Sequence, residues 1–222
     1  MRWKQGEHVL ITGGTGSGKT ALARHLAQIR LDRGGSVVVM LAKLSADPTI
    51  TDYYPDFKRW KSWKKRPRAN ENKILFWPAV EGKTATEAKA ILKAEYAYAL
   101  DEISRVGKWT VIIDEGLFTT SPDGLGMAST ISALFQLIRS ARGTMIILAQ
   151  RPAHLPLSVY ANATDAYIGQ AREQVDLKRL ANLDVSISSR DMQKMIAHNG
   201  RHDFIAVSTK SDAPPVRLNL AK

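Results

Sequence analysis

The sequence predicts an α/β fold with a mostly parallel central sheet and helices on both faces. Short apolar runs alternate along the chain with segments of helical period, the pattern of parallel strands joined by crossover helices. Most of those runs are apolar over their whole length, as strands covered on both faces require. The 222 residues, 44% of them hydrophobic, suffice for one sizeable core, and no Pro/Gly-rich linker divides them.

The elements follow in order. A first strand, His8–Thr12, runs into a glycine-rich loop. Leu22, Leu26 and Ile29 then lie at i, i+4 and i+7 on one helix face, and Gly34 and Gly35 stop that helix. Strands are expected at 36–41 and 74–77. Thr84 with Glu87 reads as a capping box opening a long helix that carries Leu92, Tyr96, Leu100 and Ile103 on one face and ends before Gly107. A strand at 110–113 is followed by a helical stripe of Ile131, Leu134, Phe135 and Ile138 and by a strand at Thr144–Ala149. A strand at 165–168, two short helices (Val175, Leu180, Leu183; Met192, Met195, Ile196) and a strand at 204–208 complete the pattern. Residues 1–213 read as a single domain, and 214–222, opening on Pro214 and Pro215, as a short tail. There is no internal repeat.

Composition narrows the chemistry. Lys plus Arg number 32 against 21 Asp plus Glu, a balance of +11, so an anionic partner is expected, nucleic acid or a membrane surface. The absence of cysteine excludes a disulfide framework, a Cys-based zinc site, an iron–sulfur cluster and a thiol nucleophile, and it fits a reducing cytoplasm. No secretory signal is visible, and the longest apolar runs are about a quarter of the roughly 20 residues that cross a bilayer.

The most specific feature is Gly13-Gly14-Thr15-Gly16-Ser17-Gly18-Lys19-Thr20, which matches Gly-x4-Gly-Lys-Ser/Thr in full between a strand and an amphipathic helix. Backbone N–H groups of such a loop and the helix N-terminus converge on phosphate oxygens. Lys19 would bridge the β- and γ-phosphates of ATP, and the Thr20 hydroxyl would ligate Mg²⁺. A dinucleotide fingerprint fails: the third glycine is missing, and the second strand ends Leu41-Ala42-Lys43 with no acid for a ribose.

The strand at 110–113 ends in Asp114-Glu115, the pattern of a Walker B segment. Asp114 is assigned to the metal and Glu115 to the base that polarises the attacking water. The strand Thr144–Ala149 delivers Gln150 at its carboxyl end, followed by Arg151 and Pro152. Gln150 either contacts the γ-phosphate or attacking water there, or belongs to a strand-ending turn enforced by Pro152.

The phosphate loop, the strand ending Asp114-Glu115 and the strand ending Leu148-Ala149-Gln150-Arg151-Pro152 together resemble the FtsK/HerA superfamily of DNA-pumping ATPases, including the genome-packaging ATPases of membrane-containing tailless viruses and phages. The resemblance spans roughly residues 9–170. It implies a RecA-like P-loop NTPase core with the sensor strand between the phosphate-loop and Walker B strands. It also implies a homo-oligomeric ring, usually a hexamer, with ATP sites between subunits and double-stranded DNA as the cargo. In such rings a neighbour's arginine completes the site. Arg139 occupies the family's position and Arg142 is close behind, while either also suits the last turn of its helix as a dipole-offsetting cation. A genome-packaging ATPase would work in the host cytoplasm or on the virion, docked to a capsid portal or membrane vertex protein. Conjugation, a filamentous-phage-type secretion ATPase and a small-molecule P-loop kinase remain the alternatives.

Residues 58–68 hold seven cations, Lys58, Arg59, Lys61, Lys64, Lys65, Arg66 and Arg68, around Trp60 and Trp63. They read either as a DNA contact, with cations on phosphates and rings on bases or sugars, or as a solvated excursion whose tryptophans pack on the body. A second loop at 119–126, after the Walker B strand, is placed by analogy toward the ring channel.

Overall fold

Strand residues that are apolar on both sides bury themselves by taking helices on both faces, and the computed structural model shows that arrangement. It describes residues 3–43, 48–65, 67–68, 70–183, 186–209 and 214–220. The elements are β1 (His8–Thr12), α1 (Lys19–Asp32), β2 (Ser36–Met40), α2 (Pro48–Tyr53), β3 (Lys58–Trp60), β4 (Lys73–Phe76), α3 (Ala85–Val106) and β5 (Trp109–Ile113). They continue with α4 (Gly116–Thr120), α5 (Ala128–Leu137), β6 (Thr144–Ala149), α6 (Leu157–Asn162), β7 (Ala163–Ile168), α7 (Gln174–Ala181), α8 (Ser189–Ala197), β8 (Asp203–Ser208) and β9 (Val216–Asn219).

The strands form one sheet in the order β3-β4-β2-β5-β6-β1-β7-β8-β9. Pairing is parallel from β3 through β7, and β8 and β9 add antiparallel to the far edge. As expected, β6 lies between β1 and β5, so the strands leading to the phosphate loop, Gln150 and Asp114 are neighbours.

Alternating strand residues feed two cores. Leu10, Val38, Met40, Val111 and Ile147 face one side, under α3 and α5, and Val9, Ile11, Val39, Ile112 and Leu148 face the other, under α1. Both sets are essentially inaccessible to solvent. The long helix α3 starts on the predicted box: the Thr84 hydroxyl accepts from the Glu87 N–H, and the Glu87 carboxylate accepts from the Thr84 N–H at 2.9 Å. A cap of this kind contributes about 1 kcal/mol.

Several expectations are corrected. The segment read as a tail carries β9, which pairs Val216–Asn219 with β8. Four residues, largely exposed and following two prolines, do not announce a strand by pattern. The basic stretch opens with β3, a charged edge strand of the kind that blunts an exposed edge. The loop expected at 119–126 begins in the last residues of α4 and returns tightly, closed by Leu125 N–H to Phe118 C=O at 2.8 Å and Met127 N–H to Thr119 C=O at 3.0 Å. Among the described residues, no helix is long and apolar enough to cross a membrane.

Candidate nucleotide-binding site

The glycine-rich loop joins the carboxyl end of β1 to the N-terminus of α1. Gly18 caps the helix at φ +92°, a left-handed conformation that a side chain would strain. A Cβ on Gly13 would lie 2.7 Å from Ser17 Oγ and 3.3 Å from Gly169 Cα, so the loop can close only on glycine there. Lys19 Nζ donates to the carbonyls of Gly13 and Gly14, both at 2.8 Å, and so folds over the loop. Burial holds its ammonium below the usual lysine range, against the opposing pull of Asp114 and Glu115.

Thr20, one residue into α1, donates its hydroxyl to Asp114 Oδ1 at 3.4 Å. Burial, and next the charge of Glu115, push the Asp114 carboxyl up to about 6, against the pull of Lys43, Thr20 and Lys19. A hydroxyl and a carboxylate converging beside a phosphate loop suit Mg²⁺, a hard cation that takes few protein ligands and completes its shell with water and phosphate oxygens. Among the described residues no cluster of three or more His, Asp or Glu offers an all-protein cage.

Glu115 points to a different partner. Its Oε1 accepts from Lys43 Nζ at 3.0 Å, with both side chains half-buried. Lys43 follows β2, the neighbour of β5, so the strand order delivers a cation to the expected base. By sequence Lys43 marks only the absence of a ribose-binding acid, although a lysine ending an apolar run beside the Walker B strand is a usable signal.

Gln150 joins the site from β6. Thr15 Oγ1 donates to Gln150 Oε1 at 3.1 Å, tying the tip of the phosphate loop to the end of the sensor strand. Asp114, Glu115 and Gln150 line one cleft of about 310 Å³. Arg151, next in the chain, also lines this cleft and is tied to α7: Nε donates to Asp176 Oδ2 at 3.0 Å, and Asp176 Oδ1 accepts the Ala153 N–H at 2.8 Å. Asp176 is buried in α7, so this pair fixes the exit from β6, a structural part the sequence did not disclose.

The other candidates lie elsewhere. Arg139 Nε donates to the Gly6 carbonyl at 3.0 Å, before β1 begins, and Arg142 stands at φ +55° in the turn leading into β6. Both are at the amino edge of the sheet, the length of β1, on the order of 15 Å, from their own phosphate loop. They are not brought to the site within one chain.

In the basic stretch, Lys58 pairs with Glu71 and Arg59 with Glu81. Arg59 also lies over the Trp77 ring at 4.6 Å and Lys58 over the Trp60 ring at 5.1 Å. Trp63 is core, packed edge-on against Phe76 and Trp109 at 5.4 and 5.6 Å. Lys61, Lys64, Lys65 and Arg68 are exposed, and Arg66 falls outside the described residues.

Sequence reasoning also missed Arg201, His202 and Tyr53, which stand beside the phosphate loop. They are remote from it in sequence and carry no motif.

No family model matches the chain. No curated protein matches it either. Solved structures do. The genome packaging NTPase B204 from Sulfolobus turreted icosahedral virus 2, in complex with sulfate, superposes with a TM-score of 0.68 at 16% identity over 95% of each chain. VirB4 of Thermoanaerobacter pseudethanolicus gives 0.65 at 11% identity over 97% of this chain and 89% of that one. The pCW3 conjugation coupling protein TcpA gives 0.58 at 17% identity over 97% and 60%. At such identities the likeness is one of fold, and the fold is the expected P-loop NTPase α/β sheet.

Proposed function

We propose that the chain is an Mg²⁺-dependent ATPase that moves double-stranded DNA as a homo-oligomeric, hexameric ring, in viral or phage genome packaging into a preformed capsid. The observation that carries this is the convergence at one sheet edge of Lys19, the Thr20–Asp114 pair, Glu115 and the Thr15–Gln150 bond. Backbone N–H groups of the loop hold the triphosphate, and Lys19 exchanges the Gly13 and Gly14 carbonyls for phosphate oxygens. Mg²⁺, when bound at Thr20 and Asp114, supplies charge neutralisation for the phosphates. Glu115 accepts a proton from the attacking water, and Lys43 fixes the direction in which that carboxylate faces. Gln150, bonded to Thr15, passes changes at the loop to β6 and, through the Arg151–Asp176 pair, to α7. Arg139 or Arg142 completes a neighbour's site, because neither reaches its own.

The match to B204, a genome packaging NTPase, along nearly the whole length of both chains supports packaging, and the conjugation coupling protein TcpA, matched over 60% of its length, stands for conjugation as the second reading. The ring would act in the host cytoplasm, docked to a capsid portal or membrane vertex protein. ATP hydrolysis with and without duplex DNA, over a range of salt, tests the proposal. Stimulation by DNA at low salt supports the motor, and phosphoryl transfer to a small metabolite without stimulation assigns the site to a kinase.

A further inference from the structure

The phosphate loop, Asp114, Glu115 and Gln150 all stand at the carboxyl edge of the sheet, and the amino edge carries a cavity of its own. It opens where β2 and β5 begin side by side, with Ser36 paired to Trp109, at the end of α3. Its volume is about 550 Å³, within the roughly 300–1,000 Å³ usual for ligand sites. The walls are largely apolar. Trp63, Pro67, Ile103 and Trp109 line it, the two indoles meeting edge-on at 5.6 Å. Val106 carries that surface outward, since it ends α3 with 61% of its area exposed.

The charges at the cavity are unevenly satisfied. Two carboxylates line it, and the protein has engaged both: Glu102 accepts from Arg105 Nε at 3.2 Å and from Nη2 at 2.8 Å, and Glu71 pairs with Lys58 and accepts the Arg68 N–H at 2.8 Å. Two exposed cations also line it, Arg68 and Lys108. Among the described residues neither side chain makes a hydrogen bond or an ion pair. Lys108 is moreover held at φ +65°, in a turn whose N–H donates to the Ala141 carbonyl at 2.9 Å. A left-handed backbone costs a side chain about 1 kcal/mol that glycine avoids. Lys108 helps to offset the carbonyl end of α3 from there, a role that Arg105 in the last turn shares.

We propose that this cavity docks a protein partner through an acidic peptide segment. An aliphatic or aromatic side chain of the segment enters between Trp63, Trp109 and Val106, and flanking carboxylates pair with Lys108 and Arg68. Protein interfaces concentrate affinity in this way, seating an apolar anchor in a pocket and ringing it with polar contacts. Duplex DNA suits the cavity less well: its convex, charged backbone would satisfy the cations and leave the apolar walls uncovered. The proposal does not depend on what the nucleotide site does, and a partner held at the amino edge leaves the cleft at the carboxyl edge open.

The test is fluorescence anisotropy of the full chain at low salt with four labelled probes. They are a peptide of four glutamates around a central Leu-Phe, its counterpart with lysines for the glutamates, its counterpart with glycines for Leu-Phe, and a short DNA duplex. The acidic Leu-Phe peptide binds saturably, and both altered peptides bind about tenfold more weakly or worse. Lys108→Gly and Val106→Asp each weaken the acidic peptide about fivefold and leave the duplex unaffected, and Lys108→Arg retains wild-type binding. Glycine adopts the backbone of residue 108 without strain, so a loss there is not a fault of folding. An acidic peptide that fails to bind, binds no tighter than its glycine counterpart, or binds both variants as well as the wild type overturns the proposal. Duplex affinity that falls in the variants as much as the peptide's assigns the cavity to nucleic acid and overturns it as well.

Discussion

At residues 13–20 the chain offers an anion its own backbone. Gly13 has no room for a side chain and Gly18 holds a left-handed conformation that one would strain, and the geometry is set by β1 behind and α1 ahead. At residues 58–68 it offers side chains instead, and the fold has already engaged part of them: Lys58 and Arg59 pair with Glu71 and Glu81, and Trp63 is core. A binding site made of backbone is fixed once its flanking elements form. A cluster of charges has no such guarantee, because each cation can be satisfied by the protein itself. Lys61, Lys64, Lys65 and Arg68 remain exposed, and these decide whether the stretch contacts a polyanion.

The largest effect expected is at the loop. Lys19→Ala should lower ATP turnover by at least a hundredfold, and Glu115→Gln should do the same while retaining nucleotide binding, measured by steady-state hydrolysis alongside equilibrium titration. A near-normal rate in both variants would break the comparison on its stronger side. Next, Lys43→Ala should lower kcat about tenfold with nucleotide affinity unchanged, since Lys43 touches Glu115 rather than the loop. A weaker affinity instead would place Lys43 on the phosphates.

The basic side is sharpened by dividing its cations. Replacing Lys61, Lys64, Lys65 and Arg68 with alanine should flatten the salt dependence of DNA binding by about one unit of log–log slope for each phosphate no longer neutralised. Replacing Lys58 and Arg59 should change it little, because their charge is already balanced by Glu71 and Glu81. Equal slopes for the two sets would mean that this stretch is a solvated excursion and that DNA binds elsewhere.

A smaller effect concerns the strand that supports the loop. His8 opens β1, is inaccessible to solvent and accepts the Met145 N–H at Nδ1 over 3.1 Å. Burial, with the Arg139 charge adding to it, lowers its pKa from 6.5 to about 4. The native state thus holds His8 neutral where the unfolded chain protonates it. Its contribution is complete above about pH 6.5 and is lost as pH falls toward 4, a change of at most about 3 kcal/mol. Denaturant melts across that window should show the loss, and His8→Phe should reduce it. A stability flat in pH from 6.5 to 4 would contradict the assignment.

What the sequence disclosed follows the same division. The central strands were legible because Val9 to Ile11, Val37 to Met40, Val111 to Ile113 and Met145 to Leu148 are apolar on both faces, which only a doubly covered sheet explains. The edges were not: β3 is Lys-Arg-Trp and β9 is Val-Arg-Leu-Asn, too short and too exposed for a period to register. The helices α2, α4 and α6 have five or six residues each and carry no repeat of an apolar stripe. In the site, Lys19, Thr20, Asp114 and Glu115 were legible because their spacing from glycines or from a strand end is itself the signal. Lys43, Arg201, His202 and Tyr53 become neighbours of the site only through the strand order and the packing of α2, neither of which local spacing contains.

The central claim joins the two regions: hydrolysis at residues 13–20 is coupled to a polyanion held elsewhere on the chain. The direct test is the rate of ATP hydrolysis with increasing duplex DNA at low salt. The account predicts a saturable stimulation that fades as salt rises and is absent in Glu115→Gln. A rate indifferent to DNA at every salt concentration, in a protein that hydrolyses ATP, would contradict it.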